Sequence, residues 1–258
     1  MNLEGKVAVI TGGASGIGRA VAREAFFAGA HVAVVDIDEA GAQSVVNELG
    51  VRSVAIKCDV ADEASIGQMI ANTERLLGGV DILFNNAGIA SGGDPLSTPN
   101  DVWQRQWDVN FMGHIFAIRA VLPGMIERGF GYIVHTASLA GLLTSHTNLP
   151  YAAIKHAVVG LAEWMSITYH DKGIRTSLLA PSGVRTPMFD ADSKFAREAA
   201  GAISEPEDVA RKVIEAMAEE RFLILTDPKA QEWMHRKASD LERWLAGMRR
   251  LQSKLEAS

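Results

Sequence analysis

Seven short runs of β-branched and other apolar residues alternate along this chain with amphipathic stretches of ten or more residues. Runs that are apolar at every position predict strands buried on both faces, as in parallel sheets. Helices between such strands make right-handed crossovers. The pattern predicts an α/β fold, a doubly wound, seven-stranded parallel sheet with helices on both faces. The predicted strands are residues 6–10, 31–35, 53–57, 80–84, 132–136, 174–179 and 222–225.

The C-terminal part of the chain follows a different pattern. We expect one domain over residues 1–258, because no linker or repeat interrupts the sequence. Within it, residues 227–258 carry large apolar side chains at helical spacing, which predicts a C-terminal helical extension. We interpret this tail as packing on the core or on another subunit. A lid over the active site and a membrane-surface helix are the alternatives, and charges of both signs on its polar face disfavour the second. The apolar positions are Trp233, Leu241, Trp244, Leu245, Met248, Leu251 and Leu255.

Charge and cysteine content exclude several classes of protein. The formal net charge is −6, whereas general nucleic-acid binding requires a basic face. The single cysteine, Cys58, leaves no intrachain disulfide. The N-terminus lacks a signal-peptide pattern, and no uninterrupted apolar run approaches the roughly 18 residues that span a bilayer. We therefore expect a cytoplasmic protein with no nucleic-acid or membrane partner. The histidines show no ligand spacing, so no metal site is predicted.

A glycine-rich segment, Thr11-Gly12-Gly13-Ala14-Ser15-Gly16-Ile17-Gly18, joins the first predicted strand to the first predicted helix. Its spacing departs from the strict G-x-G-x-x-G fingerprint. The physical basis is the same, because glycines let the backbone approach a pyrophosphate and a helix N-terminus presents free N–H groups. Ordinary turns also use glycines. After a first strand and before a helix, however, the segment indicates a dinucleotide site.

Asp36 ends the second predicted strand, 18 residues after Gly18. An acid at that position can accept hydrogen bonds from the hydroxyl groups of the adenosine ribose. A 2′-phosphate would instead face the negative charges of Asp36 and Asp38, and like charges in contact cost several kcal/mol. Ser15 stands where a basic residue could have bound that phosphate. The sequence therefore favours NAD over NADP.

Tyr151 and Lys155 lie four residues apart, on one face of a predicted helix. A nearby cation lowers the pKa of a phenol from about 10, so Tyr151 could transfer a proton. Ser138, at the end of the fifth predicted strand, could hydrogen-bond a substrate oxygen or cap a helix. Asn110 lies within a predicted helix over residues 101–128 although Asn is a poor helix former. A kink or a solvent-facing position is its alternative interpretation.

In their order and spacing, these segments resemble the short-chain dehydrogenase/reductase family, which implies a Rossmann-like fold. The resemblance covers roughly residues 6–225. It rests on Thr11-Gly12-x-x-x-Gly16-Ile17-Gly18, Asp59, Asn85-Asn86-Ala87-Gly88, Asn110, Ser138, Tyr151-x-x-x-Lys155 and Pro181 through Thr186.

The resemblance implies a role for each matching residue. Tyr151 would be the general acid/base, and Lys155 would lower the pKa of Tyr151 and bind the nicotinamide ribose. Ser138 would orient the substrate oxygen, and Asn110 would hold a water that relays protons. The cofactor-binding residues would be Gly12, Ser15, Gly16, Ile17, Gly18, Asp36, Asp59, Val60, Asn86, Ala87, Gly88, Tyr151, Lys155, Pro181, Val184 and Thr186. Leu142, His146 and Met188 are the predicted substrate contacts.

The sequence departs from the family pattern at two places. Pro181-Ser182-Gly183 stands where members often have Pro-Gly, and Thr226-Asp227-Pro228 replaces an Asp-Gly-Gly segment that helps form a tetramer. The second departure leaves both a homodimer and a homotetramer open. Pairing through the two long central helices is expected in either case.

The leading hypothesis is an NAD-dependent oxidoreductase that interconverts a secondary alcohol and a ketone. Mostly apolar candidate pocket residues favour a hydrophobic or ring-containing substrate. The alternative is a non-catalytic NAD-binding sensor or scaffold protein, against which the complete set of predicted catalytic residues argues. A different reaction on the same fold, such as dehalogenation, would be expected to alter the glycine loop or Lys155.

Overall fold

The computed structural model describes residues 1–145, 148–189, 196 and 201–257. Its strands are β1 (Val7–Thr11), β2 (His31–Asp36), β3 (Ser53–Lys57), β4 (Ile82–Asn85), β5 (Gly131–Thr136), β6 (Ile174–Ala180) and β7 (Leu223–Leu225). They form one parallel sheet in the order β3-β2-β1-β4-β5-β6-β7. The predicted doubly wound, seven-stranded sheet is confirmed, and each strand lies within two residues of its predicted bounds. The order reverses between β1 and β4, where such sheets open a crevice.

The helices lie between and after the strands, and several begin at a side chain that caps the first turn. Asp38, Asp62 and Asn148 each accept a hydrogen bond from a backbone N–H group of the helix that follows. The helices are α1 (Gly16–Phe27), α2 (Glu39–Leu49), α3 (Glu63–Leu77), α4 (Asn100–Trp107), α5 (Gly113–Arg128), α6 (Ala140–Leu143), α7 (Leu149–Tyr169), α8 (Pro206–Ala218), α9 (Ala230–Ser239) and α10 (Leu241–Glu256).

Both faces of the sheet are covered, which explains why its strands are apolar at nearly every position. Alternate residues of a strand point to opposite faces. In β5, Tyr132 and Val134 pack with α1, α2 and α8, whereas Ile133 packs with α3, α5 and α7. Helices cover the two faces, so the loops that follow the strands lie together at the carboxyl edge of the sheet.

The region predicted as one helix over residues 101–128 is divided by a π-helical turn, Asp108–Met112. By length and composition alone, the stretch Asn100–Arg128 is apolar enough to cross a membrane. Half of its most apolar window is buried inside the protein, however. Val121 and Met125 pack in the core that α5 shares with α3. This burial is typical of a core helix.

Helices α9 and α10 form the C-terminal extension. Trp233 and Trp244 pack against Leu143 of α6. Lys237 donates a hydrogen bond from Nζ to the carbonyl oxygen of Leu142, at 2.6 Å. The extension therefore holds the short helix that directly follows the Ser138 segment.

Candidate active site

A cleft of about 520 Å³ opens where the carboxyl ends of the central strands meet. Side chains from the loops after β1 to β6 line it together with residues of α4 and α7. The predicted site residues on its lining are Gly12, Ser15, Gly16, Ile17, Asp36, Asp59, Val60, Asn86, Ala87, Gly88, Tyr151, Lys155, Pro181, Thr186 and Met188. Residues up to 176 positions apart in the chain thus converge on one cleft, from Gly12 to Met188.

The glycine loop passes so close to its neighbours that side chains would not fit. A Cβ atom on Gly12 would lie 2.9 Å from the Cα of Ala87, and one on Gly18 would lie 2.0 Å from the carbonyl oxygen of Gly12. Gly12 and Gly16 also have φ values of +66° and +51°, which favour glycine. Ser15 precedes α1, and its hydroxyl makes no capping bond with the helix. This cradle fits the pyrophosphate of a dinucleotide at the N-terminus of α1.

Thr11 ties the glycine loop to the loop after β4. Its Oγ1 accepts hydrogen bonds from the backbone N–H groups of Asn86, at 2.9 Å, and Ala87, at 3.1 Å. Asn86 in turn donates from Nδ2 to the carbonyl oxygen of Thr11, at 3.0 Å. The sequence analysis gave Thr11 no function of its own. Its position could have indicated this role, because Thr11 is a hydroxyl residue that stands between an apolar strand and the glycines.

Asp36 stands on the cleft wall beside the glycine loop. Its two carboxylate oxygens accept hydrogen bonds from the backbone N–H groups of Ala14 and Asp38, each at 3.0 Å. Asp38, two residues further along, is a second acid and caps α2 by accepting from the N–H of Gly41. The backbone therefore fixes a negative charge at the position where the sequence predicts the adenosine ribose.

Tyr151 and Lys155 line another part of the cleft, and Ser138 lies behind the lining in contact with Tyr151. The Nζ of Lys155 lies 5.5 Å from the ring centroid of Tyr151 and donates to the carbonyl oxygen of Thr136 at 2.7 Å. The Ser138 hydroxyl hydrogen-bonds the phenol of Tyr151. It also accepts from the backbone N–H of Ala140 at 3.1 Å. Ser138 is thus both a partner of the phenol and an acceptor for the first N–H group of α6.

Burial dominates the electrostatics of this group. It raises the pKa of Tyr151 above its usual value near 10, and the hydrogen bond from Ser138 opposes the rise. Burial lowers the pKa of Lys155 to about 8. The resemblance implied that Lys155 lowers the pKa of Tyr151, and that role stays a prediction, since burial sets the direction of the net shift. The reason is that loss of water favours the neutral form of each group.

Asn110 lies in the π-helical turn with its side chain fully buried. Its Nδ2 donates to the carbonyl oxygen of Ile89 and its Oδ1 accepts from the N–H of the same residue, both at 2.8 Å. A Cβ on neighbouring Gly88 would lie 3.2 Å from that Oδ1. The helix irregularity and the buried amide therefore both serve to hold the loop after β4. The solvent-facing alternative is wrong because the side chain is buried, whereas the water-holding role stays a prediction.

Other predicted site residues lie beside the cleft lining or outside the described residues. Gly18 packs directly against the backbone of Gly12. Val184 is buried and forms a backbone bridge with Ser204. Leu142 packs toward α9 and the lining does not include it, so the structure does not place it as a substrate contact. His146 falls outside the described residues.

Several lining residues received no role from the sequence. They are Ile37, Cys58, Ala90, Arg105, Val109, Thr136, Ala137 and Pro187. Thr136 carries the clearest function, because its carbonyl holds Lys155 and its hydroxyl donates to Oδ1 of Asn86 at 3.3 Å. Across the described ranges, no group of three or more His, Cys, Asp or Glu side chains could hold a metal ion.

Comparison with known proteins assigns the chain and its fold to a family. The family described as short chain dehydrogenase matches residues 6–196. The chain therefore belongs to the short chain dehydrogenase family, and like its relatives it is an oxidoreductase. The matched region ends before α8, so the helical extension formed by α9 and α10 lies outside it.

Two relatives are named as dehydrogenases, one of them of a cyclohexadiene diol, a ring compound. The chain is 39% identical over 189 residues to 2,5-dichloro-2,5-cyclohexadiene-1,4-diol dehydrogenase of Sphingobium indicum, covering 72% of this chain and 76% of that protein. It is 36% identical over 189 residues to secoisolariciresinol dehydrogenase of Forsythia intermedia, covering 72% and 68%.

Solved structures of the family superimpose closely on this chain. A short chain dehydrogenase/reductase from Burkholderia phymatum in complex with NAD has a TM-score of 0.86 and 31% identity, covering 94% of this chain and 96% of that one. The 3-ketoacyl-(acyl-carrier-protein) reductase from Brucella melitensis complexed with NADH has a TM-score of 0.82 and 30% identity, covering 87% and 98%.

Proposed function

We propose that this chain is an NAD-dependent oxidoreductase that interconverts a secondary alcohol and a ketone. The observation that carries this proposal is a single cleft lined by both a glycine cradle and the pair Tyr151 and Lys155, with Ser138 hydrogen-bonded to the Tyr151 phenol. Hydride transfer to or from a carbon must be accompanied by proton transfer at its oxygen. A cradle for the hydride carrier beside a buried phenol meets both requirements.

Each member of the group has a defined task in this reaction. In oxidation, Tyr151 Oη takes the proton of the substrate hydroxyl, and in reduction it returns a proton to the carbonyl oxygen. Ser138 Oγ hydrogen-bonds the same oxygen and fixes its direction. Lys155, with a pKa of about 8, is mostly protonated at neutral pH and keeps a positive charge near the phenolate. Bound nicotinamide supplies the site that gives or accepts the hydride.

The residues that would hold the cofactor follow the cleft from one end to the other. Asp59 and Val60 would contact the adenine, and Asp36 would accept hydrogen bonds from the adenosine ribose. Lys155 would bind the nicotinamide ribose, and Thr186 would contact the nicotinamide amide. The glycine loop would hold the pyrophosphate. The fixed carboxylate of Asp36 supports NAD over NADP because a 2′-phosphate there would face like charge.

The substrate class follows from the lining near Tyr151. Ile89, Ala137, Pro187 and Met188 are apolar and lie on the cleft, and pockets of this kind take their specificity from a few polar groups. A ring compound, a cyclohexadiene diol, is named as the substrate of one relative. We therefore propose a hydrophobic or ring-containing alcohol or ketone as the substrate.

The proposal is tested by NADH formation at 340 nm with NAD and a panel of secondary alcohols, from small aliphatic to aromatic and polycyclic. Tyr151→Phe is the matched control, since it removes one hydroxyl from a buried ring. We expect turnover in the wild type and a loss of at least about 100-fold in the variant, the lower range for general acid–base catalysis. Equal turnover in both would refute the role of Tyr151.

The same assay separates the enzyme from a non-catalytic NAD-binding protein. One relative, 38% identical over 193 residues, is named as an inactive 2-(S)-hydroxypropyl-CoM dehydrogenase of Xanthobacter autotrophicus. Tight NAD binding without turnover on any member of the panel would favour that second candidate.

We also propose that the chain forms a homo-oligomer through its long helices. Ile126 of α5 and Trp164 and Ile167 of α7 are large apolar residues with exposed fractions of 36%, 55% and 81%. Sedimentation analysis of the wild type and of Ile167→Lys tests this, and a monomeric wild type would refute it.

A further inference from the structure

The cleft wall next to the predicted adenine contacts carries a cation. The Nη2 of Arg105 lies 3.3 and 3.4 Å from the two carboxylate oxygens of Asp59, and both residues line the cleft. Asp59 follows β3, whereas Arg105 belongs to α4. The ion pair therefore joins two separate chain segments at this end of the cleft.

Close backbone packing near the pair also joins the loop after β3 to the helical stretch that continues from α4 into α5. A Cβ on Gly113, at the start of α5, would lie 2.9 Å from the carbonyl oxygen of Val60. Val109 completes the lining between them. Because the packing already fixes the spacing of the two segments, Arg105 can set the direction of the Asp59 carboxylate.

The Asp59 carboxylate retains room for another hydrogen bond. Its Oδ1 accepts from the backbone N–H of Ala61 at 3.0 Å. A carboxylate offers about four acceptor positions, and Ala61 and Arg105 occupy only part of them. The oxygen that remains most available is Oδ2, on the side that Arg105 contacts at 3.3 Å.

We propose that Arg105 is a positioning residue that holds the Asp59 carboxylate ready to accept a hydrogen bond from the exocyclic amino group of adenine. It thereby strengthens binding of the adenosine half of NAD. A guanidinium group that contacts both oxygens restrains rotation of the carboxylate, which a water molecule would not do. The inference rests on the proposed function, because it assumes that NAD occupies this cleft.

The test is calorimetric titration of the wild type, Arg105→Gln and Arg105→Lys with NAD and with nicotinamide mononucleotide. We expect Arg105→Gln to weaken NAD binding about fivefold, the upper range for an exposed ion pair. Binding of the mononucleotide, which has no adenosine, is expected to stay unchanged. Arg105→Lys keeps the charge but loses the planar guanidinium, and it is expected to restore only part of the affinity. An unchanged affinity of Arg105→Gln for NAD, or an equal loss for both ligands, would overturn the proposal.

Two further variants separate this role from a general structural one. Arg119→Gln breaks a more exposed ion pair, Arg119 with Glu63 at 3.1 Å, away from the cleft lining. It is expected to leave NAD affinity unchanged. In an Asp59→Asn background, Arg105→Gln should cause no additional loss, and an additive loss would contradict action through Asp59. Failure of the wild type to bind NAD would refute the proposed function instead.

Discussion

The Nδ1 atoms of His114 and His135 lie 3.0 Å apart in the protein interior, and their rings stack with centroids 5.2 Å apart. One shared proton makes this hydrogen bond, so the two neutral rings have opposite tautomers. Burial lowers the pKa of both, that of His135 to about 3, and the nearby charge of Lys155 acts in the same direction. Within the described residues, neither Nε2 atom has a hydrogen-bond partner.

The buried pair of His114 and His135 predicts that the free energy of unfolding falls in mild acid. The folded pKa of His135 lies below the unfolded value near 6.5, so the unfolded state binds more protons as the pH falls. Its contribution to stability is complete above about pH 6.5 and is lost progressively down to about pH 3. At pH 5 the cost from His135 is about 2 kcal/mol. Urea unfolding at pH 7.5 and pH 5 measures it. His135→Asn should reduce the difference, whereas His170→Asn, an exposed position, should not.

A second prediction concerns the pH dependence of alcohol oxidation. In the proposed function Tyr151 acts as a base in this direction, and burial raises its pKa above the usual value near 10. We expect kcat/KM to rise by up to about tenfold per pH unit between pH 6 and 8. In Ser138→Ala, loss of the hydrogen bond that lowers this pKa should move the profile to higher pH. A shift of the profile to lower pH would contradict the assignment.

Asp36→Ala should change the choice of cofactor. Removal of the carboxylate takes away the acceptor for the ribose hydroxyls and the charge that opposes a 2′-phosphate. We expect weaker NAD binding, by about tenfold, together with a smaller preference for NAD over NADP. The ratio of kcat/KM for the two cofactors measures this. Asp101→Ala, at the start of α4 and away from the cleft lining, is the control. An unchanged ratio in Asp36→Ala would disprove the role of Asp36.

Asn110→Leu should destabilise the protein and impair turnover. The substitution keeps a similar volume but leaves the N–H and carbonyl of Ile89 without their two partners. Unsatisfied groups of this kind cost about 1–3 kcal/mol each. Urea unfolding at neutral pH measures the loss, with exposed Asn72→Leu on α3 as the control. Equal stability of the two variants would mean that the loop after β4 does not depend on Asn110.

Much of the fold could be predicted because each element carries its own local signal. The uniformly apolar strands could only be buried on both faces, and the capping residues Asp38 and Asp62 precede their helices directly. The convergence of Gly12, Asp36 and Tyr151 on one cleft was also predictable. Parallel strands bring their carboxyl ends to one edge, so residues at those ends must lie near one another.

Other features had no local signal, because they depend on contacts between distant segments. His114 and His135 are 21 residues apart and follow no ligand spacing, so only the packing of α5 on β5 reveals the pair. The position of Leu142 depends on the helical extension, whose docking site the tail sequence does not encode by itself. Asn110 was conspicuous as a poor helix former, but the partner that explains it, Ile89, lies 21 residues away.

The π-helical turn at Asp108–Met112 separates Arg105 from His114 along a single helical stretch. Gly113 donates to the carbonyl of Asp108, five residues back, where a regular helix would reach four. Each residue of a regular helix rotates the next by about 100°. Deleting one residue here would restore a continuous helix and rotate one of these side chains by that angle relative to the other. The one extra residue in the π-helical turn therefore lets Arg105 face the cleft while His114, on the same helical stretch, faces the protein interior.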